Sequence, residues 1–236
     1  MYDALWPGGP KFKQNRDAFP LSTDSVLLAH FVRGVRAARI MDLGCGAGVL
    51  TVLLHVSHPR AEIGGIELSP PAAALCRENL AANGFPSRGI VTGDLREHRQ
   101  LFSAGQSDLV VSNPPYFPEG SGASAPDAAR AGAREERSCT LSEVCAAAAF
   151  LCRWGGVFAL VHRPERLSEV FCAMTAAGLE PKRLRLVQHR AESAPSLALI
   201  ASRRGGRPGL AVEPPLLLTD AAGADTREIL EIYHRR

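Results

Sequence analysis

No stretch of this 236-residue chain approaches the roughly eighteen consecutive apolar residues of a membrane span, and Met1 to Lys13 lack the apolar core of a secretory signal. The six cysteines, Cys45, Cys76, Cys139, Cys145, Cys152 and Cys172, form no C-x-x-C pair and no cluster with histidine. That spacing excludes a zinc ribbon or a redox dithiol, and predicts reduced thiols, mostly buried, with no metal. Lysine is scarce: Lys11, Lys13 and Lys182 stand alone against an arginine-dominated basic complement. Codon bias from a GC-rich genome and recognition of phosphate both produce such a skew. Charge of one sign is also lacking, with a net of only +3, 46% apolar and 22% charged residues. Disorder, collagen, coiled coil and acidic tails are therefore excluded as descriptions of the whole chain. What remains is a soluble, cytoplasmic protein of one domain, long enough to bury a sizeable core.

What is present is alternation. Short apolar runs bounded by turn residues, at Arg39 to Leu43, Glu62 to Glu67, Gly89 to Gly93, Ser107 to Ser112, Val157 to Val161, Arg183 to Val187 and Leu197 to Ser202, read as strands. Helical patterns fill the gaps at Val49 to His58, Pro70 to Asn83, Leu141 to Arg153 and Glu165 to Ala177, with an earlier helix from Thr23 and a charged one over Asp225 to Arg236. Ser69 ahead of Pro70 and Pro71, and Thr140 three residues before Glu143, are N-cap signals. The pattern predicts an α/β fold, a seven-stranded, mostly parallel sheet with helices on both faces. Residues 1–36 read as an N-terminal extension and helix, and residues 37–236 as the main domain. Pro118 to Arg137, rich in Gly, Ala and Ser, does not look like core.

The first strand runs into Asp42-Leu43-Gly44-Cys45-Gly46-Ala47-Gly48 and then a helix. Glycines there allow a tight turn and close approach of a ligand to the backbone, beside the positive end of the helix. A dinucleotide fingerprint requires a glycine where Val49 stands. The D-x-G-x-G-x-G spacing instead resembles motif I of the class I S-adenosylmethionine-dependent methyltransferases, of Rossmann-like fold. That resemblance implies S-adenosylmethionine as cofactor, with the methionine part at the turn. Glu67 and Asp94, the latter followed by Leu95, end the second and third strands. At the carboxyl edge of an open sheet, one is placed to accept the ribose hydroxyls and the other an adenine amino group.

The fourth strand leads into Asn113-Pro114-Pro115-Tyr116. Two prolines remove backbone donors and stiffen the loop, so its carbonyls are presented in fixed positions. The Asn113 side-chain carbonyl and the Pro114 backbone carbonyl are then placed to accept from one planar NH₂ group while Tyr116 stacks on the attached ring. Such acceptors make a delocalised amine more nucleophilic and aim it at a methyl donor, with no metal required. Adenine N6 and the N5 of protein glutamine are both substrates of this chemistry.

Lys11-Phe12-Lys13-Gln14-Asn15, the stretch Leu21 to Ala29, motif I, Ser112 to Phe117, and Ala133-Arg134-Glu135 ahead of Thr140 together resemble the bacterial tRNA1(Val) adenine-N6-methyltransferase family, from about residue 10 to about residue 202. The resemblance implies a tRNA partner and a target adenine just 3′ of the anticodon, at position 37. It assigns the cofactor to Asp42, Gly44, Gly46, Gly48, Glu67 and Asp94, and catalysis to Asn113, Pro114, Pro115 and Tyr116. Thr23 and Asp24 are expected over the cofactor. A release-factor glutamine methyltransferase is the alternative, together with other rRNA or DNA amino-methyltransferases. Enzymes of the glutamine type usually carry a helical substrate domain before motif I, and 41 residues precede Asp42 here.

Basic residues gather in three places suited to RNA phosphates: Lys11, Lys13 and Arg16; Arg130, Arg134 and Arg137 beyond the catalytic motif; and Glu180 to Arg207, which includes Arg183 and Arg185. An adenine turned out of a loop reaches a stacking tyrosine more readily than one in a duplex.

Overall fold

The computed structural model describes residues 2–13, 23–114 and 139–235. A hairpin of β1 (Tyr2–Ala4) and β2 (Lys11–Lys13) precedes helix α1 (Thr23–Val32). There follow β3 (Arg39–Leu43), α2 (Val49–Ser57), β4 (Glu62–Glu67), α3 (Pro70–Ala82), β5 (Ile90–Thr92), α4 (His98–Leu101) and β6 (Ser107–Ser112). The chain continues through α5 (Leu141–Leu151), β7 (Cys152–His162), α6 (Leu167–Ala176), β8 (Leu179–Gln188) and β9 (Pro195–Arg204). It ends with β10 (Ala211–Val212), β11 (Leu216–Leu217) and α7 (Arg227–Ile232).

The main sheet has the order β10-β8-β9-β7-β6-β3-β4-β5, with β11 also on β8. Strands β5, β4, β3, β6 and β7 are parallel, and β9 runs antiparallel between β7 and β8. All seven strands expected from the apolar runs are present. The sheet is nine-stranded because β10 and β11 extend it beyond β8, in parallel register with Arg183 to Leu184 and Val187 to Gln188. Two-residue strands carry no alternation, so the sequence gives no periodic signal for them.

Period-two alternation sorts the buried side chains between two faces. Ile40, Leu109 and Val111 face α1, α2 and α7, packing with Leu28, Val32, Leu54 and Ile229. Met41, Leu43 and Val110 face α5 and α6, packing with Cys145, Ala148, Leu151 and Met174. By the same alternation Asp42 points toward α2, which decides its partner below. Truncating a fully buried residue such as Leu109 to Ala removes about 2–5 kcal/mol.

The caps anticipated from sequence close the helix ends. Ser69 accepts from the Ala72 N–H, and Thr140 with Glu143 forms a reciprocal capping box. The N-terminal segment does not stand apart from the domain. Phe12 of β2 is buried with Cys45, Cys76 and Leu80, and α1 supplies Val26 to Ala29, Phe31 and Val32 to the core. Asn79 of α3 and Asn83 at its C-cap, four residues apart, act as a polar edge for β2. They accept from the Lys13 and Lys11 N–H at 2.8 Å each and donate back to the same residues' carbonyls.

Candidate active site

The parallel strands deliver Leu43, Glu67, Thr92 and Ser112 to one edge of the sheet. The register pairs Leu43 with both Ile66 and Ser112, and Glu67 with Thr92. The Ser112 hydroxyl donates to the Leu43 carbonyl at 2.9 Å, tying the start of the glycine loop to the strand that ends at Asn113.

The loop after β3 is shaped by three glycines in the left-handed region: Gly44 (φ 72°), Gly46 (φ 53°) and Gly48 (φ 86°). Its first turn is pinned to β4, because the N–H groups of Gly44 and Cys45 both donate to the Ile66 carbonyl, at 2.9 and 3.0 Å. Two of the glycines answer different needs. Among the described residues a Cβ on Gly44 meets nothing within 4 Å, which leaves room beside the backbone for a ligand. A Cβ on Gly48 falls 2.6 Å from the Cys76 sulfur and 3.2 Å from the Cys76 Cα, so there the glycine lets α2 approach α3.

Glu67 is half-buried and links the loop to the next helix. One carboxylate oxygen accepts the Gly46 N–H and the other the Ser69 N–H, both at 2.8 Å. A carboxylate has room for about four hydrogen bonds, so two backbone donors leave acceptor capacity for a diol. Asp42 is placed differently. It is 1% exposed, and its carboxylate accepts the Thr51 hydroxyl at 2.7 Å. Burial, assisted by the charge of Glu67 and opposed by the Thr51 hydrogen bond, pushes its carboxyl up to about 7. It braces β3 against α2 from beneath the loop.

Asp94 caps the short 3₁₀ turn Leu95–Glu97 by accepting the Arg96 N–H at 2.9 Å. The Arg96 guanidinium also embraces both carboxylate oxygens, at 2.5 to 3.0 Å, which holds the carboxyl below its ordinary range. Any further donor approaching this carboxylate shares it with Arg96.

Asn113 follows β6, half-buried, and its amide nitrogen donates to the Ser25 hydroxyl on α1 at 3.0 Å. Pro114 beside it is half-buried too. Pro115, Tyr116, Arg16 and Arg134 lie outside the described residues. Thr23 and Asp24 form the first turn of α1, the turn that also carries Ser25. At the end of β7, adjacent to β6, His162 is buried, and burial drops its imidazole to about 4.

The basic residues proposed for RNA divide into two groups. Lys11 is exposed, and Lys13 pairs with Glu78 at 2.9 Å on the surface. Arg183 pairs with Glu213 at 2.5 Å and lies over the Phe31 ring, while Arg185 grips Glu228 through two bonds of 2.6 and 2.8 Å. These two guanidiniums fasten the C-terminal segment to β8. Three polar residues of the site escaped the sequence reading: Ser25, Thr51 and Asn79, whose amide donates to the Ala47 carbonyl of the glycine loop. Ser25 and Asn79 share a detectable signal, a polar side chain on an otherwise apolar helix face.

Residues 21–135 match the family model of the methyltransferase small domain. The chain is 30% identical over 221 residues to the tRNA1(Val) (adenine(37)-N6)-methyltransferase of Tolumonas auensis, covering 93% of this chain and 90% of that protein. It is likewise 30% identical to the protein of the same name from Aeromonas salmonicida, covering 96% and 95% of the two chains. Among solved structures, a predicted O-methyltransferase from Agrobacterium tumefaciens superposes with a TM-score of 0.71 at 23% identity, over 91% of this chain and 97% of that one. The last likeness concerns the fold, a class I methyltransferase sheet. Among the described residues no helix is long and apolar enough to cross a membrane. With near full-length coverage at this identity, the chain belongs to the tRNA1(Val) (adenine(37)-N6)-methyltransferase family.

Proposed function

We propose that this chain transfers a methyl group from S-adenosylmethionine to the N6 amine of an adenine in tRNA, at position 37, just 3′ of the anticodon. The observation that carries the reading is the junction of β3 and β6, where the Ser112–Leu43 hydrogen bond holds Asn113 and Pro114 beside the glycine loop. The names of the family's members supply the substrate class.

The residues present fit the cofactor: room among the described residues beside Gly44, a Glu67 carboxylate with remaining acceptor capacity, and a second carboxylate at Asp94 on the neighbouring strand end. When bound, S-adenosylmethionine supplies a methyl group on a positively charged sulfur, an electrophile that needs no further activation. Glu67 takes the ribose hydroxyls, Gly44 and Gly46 line the methionine part, and Asp94 with Leu95 borders the adenine. At the target, the Asn113 side-chain carbonyl and the Pro114 carbonyl accept the two N6 hydrogens. That pulls the lone pair out of conjugation and aims it, while Tyr116 stacks on the base. Positioning and preorganised acceptors supply the catalysis, and the amine's proton leaves to solvent after transfer.

The test is mass spectrometry of tRNA nucleosides from a strain lacking this protein, with the purified enzyme and S-adenosylmethionine added back. N6-methyladenosine disappears from tRNA and returns on incubation. Unchanged tRNA, with loss of release-factor glutamine methylation, replaces this reading with the glutamine one.

A further inference from the structure

Asn79 stands on the face of α3 that carries Cys76 and Leu80, and it is 0% exposed. A buried amide must place both hydrogens and its oxygen, and here all three go to backbone. Its Oδ1 accepts the Lys13 N–H at 2.8 Å, while its Nδ2 donates to the Lys13 carbonyl at 3.3 Å and to the Ala47 carbonyl at 2.9 Å. Ala47 precedes the N-cap of α2, whose hydrogen-bond ladder begins at the Gly48 carbonyl, so the Ala47 carbonyl takes its donor from outside the helix. The Gly48 N–H donates in turn to the Cys45 carbonyl at 2.8 Å, which leaves the Ala47–Gly48 peptide fastened at both ends.

We infer that Asn79 is a positioning residue for cofactor binding, one that makes the shape of the glycine loop depend on the seating of strand β2. The inference rests on the reading of that loop as the S-adenosylmethionine site. Turning the amide by half a revolution sets its NH₂ against the Lys13 N–H and its oxygen against two carbonyls, so β2 and the loop select the same orientation. Asn83 fixes the other end of the strand. Its Oδ1 accepts the Lys11 N–H at 2.8 Å, and its Nδ2 donates to the Lys11 and Asn79 carbonyls at 2.7 Å each. Between the two lysines Phe12, 1% exposed, is buried in the cluster that contains Cys45 of the loop. Strand β2 therefore reaches the loop by a polar route and an apolar one. Coupling of this kind is reciprocal: what seats the strand tightens the loop, and a filled loop holds the strand.

The experiment measures the calorimetric Kd for S-adenosylmethionine and backbone amide exchange in the full chain, for wild type, Asn79→Ala, Asn83→Ala and the double variant. Asn79→Ala is expected to weaken cofactor binding about tenfold, through loss of a buried bond to the loop together with its link to β2. Asn83→Ala, which bonds the strand and α3 but not the loop, weakens it about threefold, and the double variant is no weaker than Asn79→Ala alone. In wild type, saturating cofactor slows exchange of the Lys11 and Lys13 amides more than about threefold, and in Asn79→Ala it does not. A merely structural asparagine lowers the melting temperature but gives independent, additive effects on Kd, and that result overturns the proposal. So does a folded Asn79→Ala whose Kd stays within about twofold of wild type. Where Asn79→Ala fails to fold, wild type and Asn83→Ala decide: exchange in β2 indifferent to cofactor, or an unchanged Kd in Asn83→Ala, overturns it. Glu67→Ala separates this proposal from the reading beneath it. Unchanged affinity there moves the cofactor away from the loop and removes both, whereas weakened affinity there beside an unchanged Asn79→Ala removes this proposal alone.

Discussion

The backbone N–H of Gly46 donates to Oε2 of Glu67 at 2.8 Å, so the glycine loop and the acid ending the next strand form one unit. The same carboxylate holds the Ser69 N–H at the start of α3. Removing it therefore disturbs the loop itself as well as the proposed ribose contact.

Glu67→Ala is expected to weaken S-adenosylmethionine binding by more than tenfold in calorimetry, since two backbone donors and the cofactor hydroxyls lose their acceptor together. Glu67→Gln keeps one carbonyl acceptor and falls between. Equal affinity for wild type and Glu67→Ala removes Glu67 from the cofactor site.

The two outer glycines of the loop predict opposite balances between fold and binding. At Gly48 an added methyl meets Cys76, backbone included, on top of a φ of 86°. Gly48→Ala is expected to cost about 2–4 kcal/mol of stability, read as a lower denaturant midpoint. At Gly44 the methyl meets none of the described residues and has the left-handed backbone against it, a cost of about 1 kcal/mol. Its main effect is to obstruct the cofactor. If Gly44→Ala is the less stable of the pair, these assignments are exchanged.

Asp42 gives a pH signature. Burial raises its carboxyl from the ordinary 3.8 to about 7, so the folded chain holds this proton more tightly than the unfolded one. The stability this group contributes is fully present below the unfolded value and is lost as pH rises through about 7. Asp42→Asn stays neutral throughout and still accepts from Thr51. In thermal melts from about pH 5 to about pH 8, wild type is expected to lose stability relative to Asp42→Asn. Parallel curves contradict titration of Asp42 in that window.

The sequence made the parallel sheet legible because strands buried on both faces are continuous apolar runs, as in Leu109-Val110-Val111. The local caps were legible because their partners are near in sequence: Ser69 and Thr140 act on residues three positions away. The strand-end position of Glu67 followed from its register, but its two backbone donors did not. Asp42 faces α2 by simple alternation, yet its burial beneath the loop, and hence its raised carboxyl, depends on how closely α2 packs. The Ser25–Asn113 and Asn79–Ala47 contacts join segments far apart in the chain, and the local pattern announces only a polar side chain on an apolar helix face, not its partner. The charge of the Glu180 to Arg207 stretch illustrates the same limit. Counted locally it is strongly basic, but Glu213 and Glu228 return from the C-terminal segment to meet Arg183 and Arg185.

That return separates two roles for Arg185. Its side chain is 17% exposed, and both ends of its guanidinium bind the carboxylate of Glu228, with a further bond to the Pro214 carbonyl at 3.1 Å. An arginine free to contact phosphate contributes to RNA affinity and to its salt dependence. One committed to an internal, bidentate pair contributes to the fold instead. Arg185→Gln is therefore expected to cost about 1–2 kcal/mol, a fall of a few degrees in Tm, by loosening α7 from β8. The Kd for tRNA should stay within about twofold, with an unchanged slope against salt concentration. Glu228→Gln removes the same pair from its other side and should lower Tm by a similar amount. A lower salt slope in Arg185→Gln, at unchanged Tm, assigns this residue to the RNA interface after all.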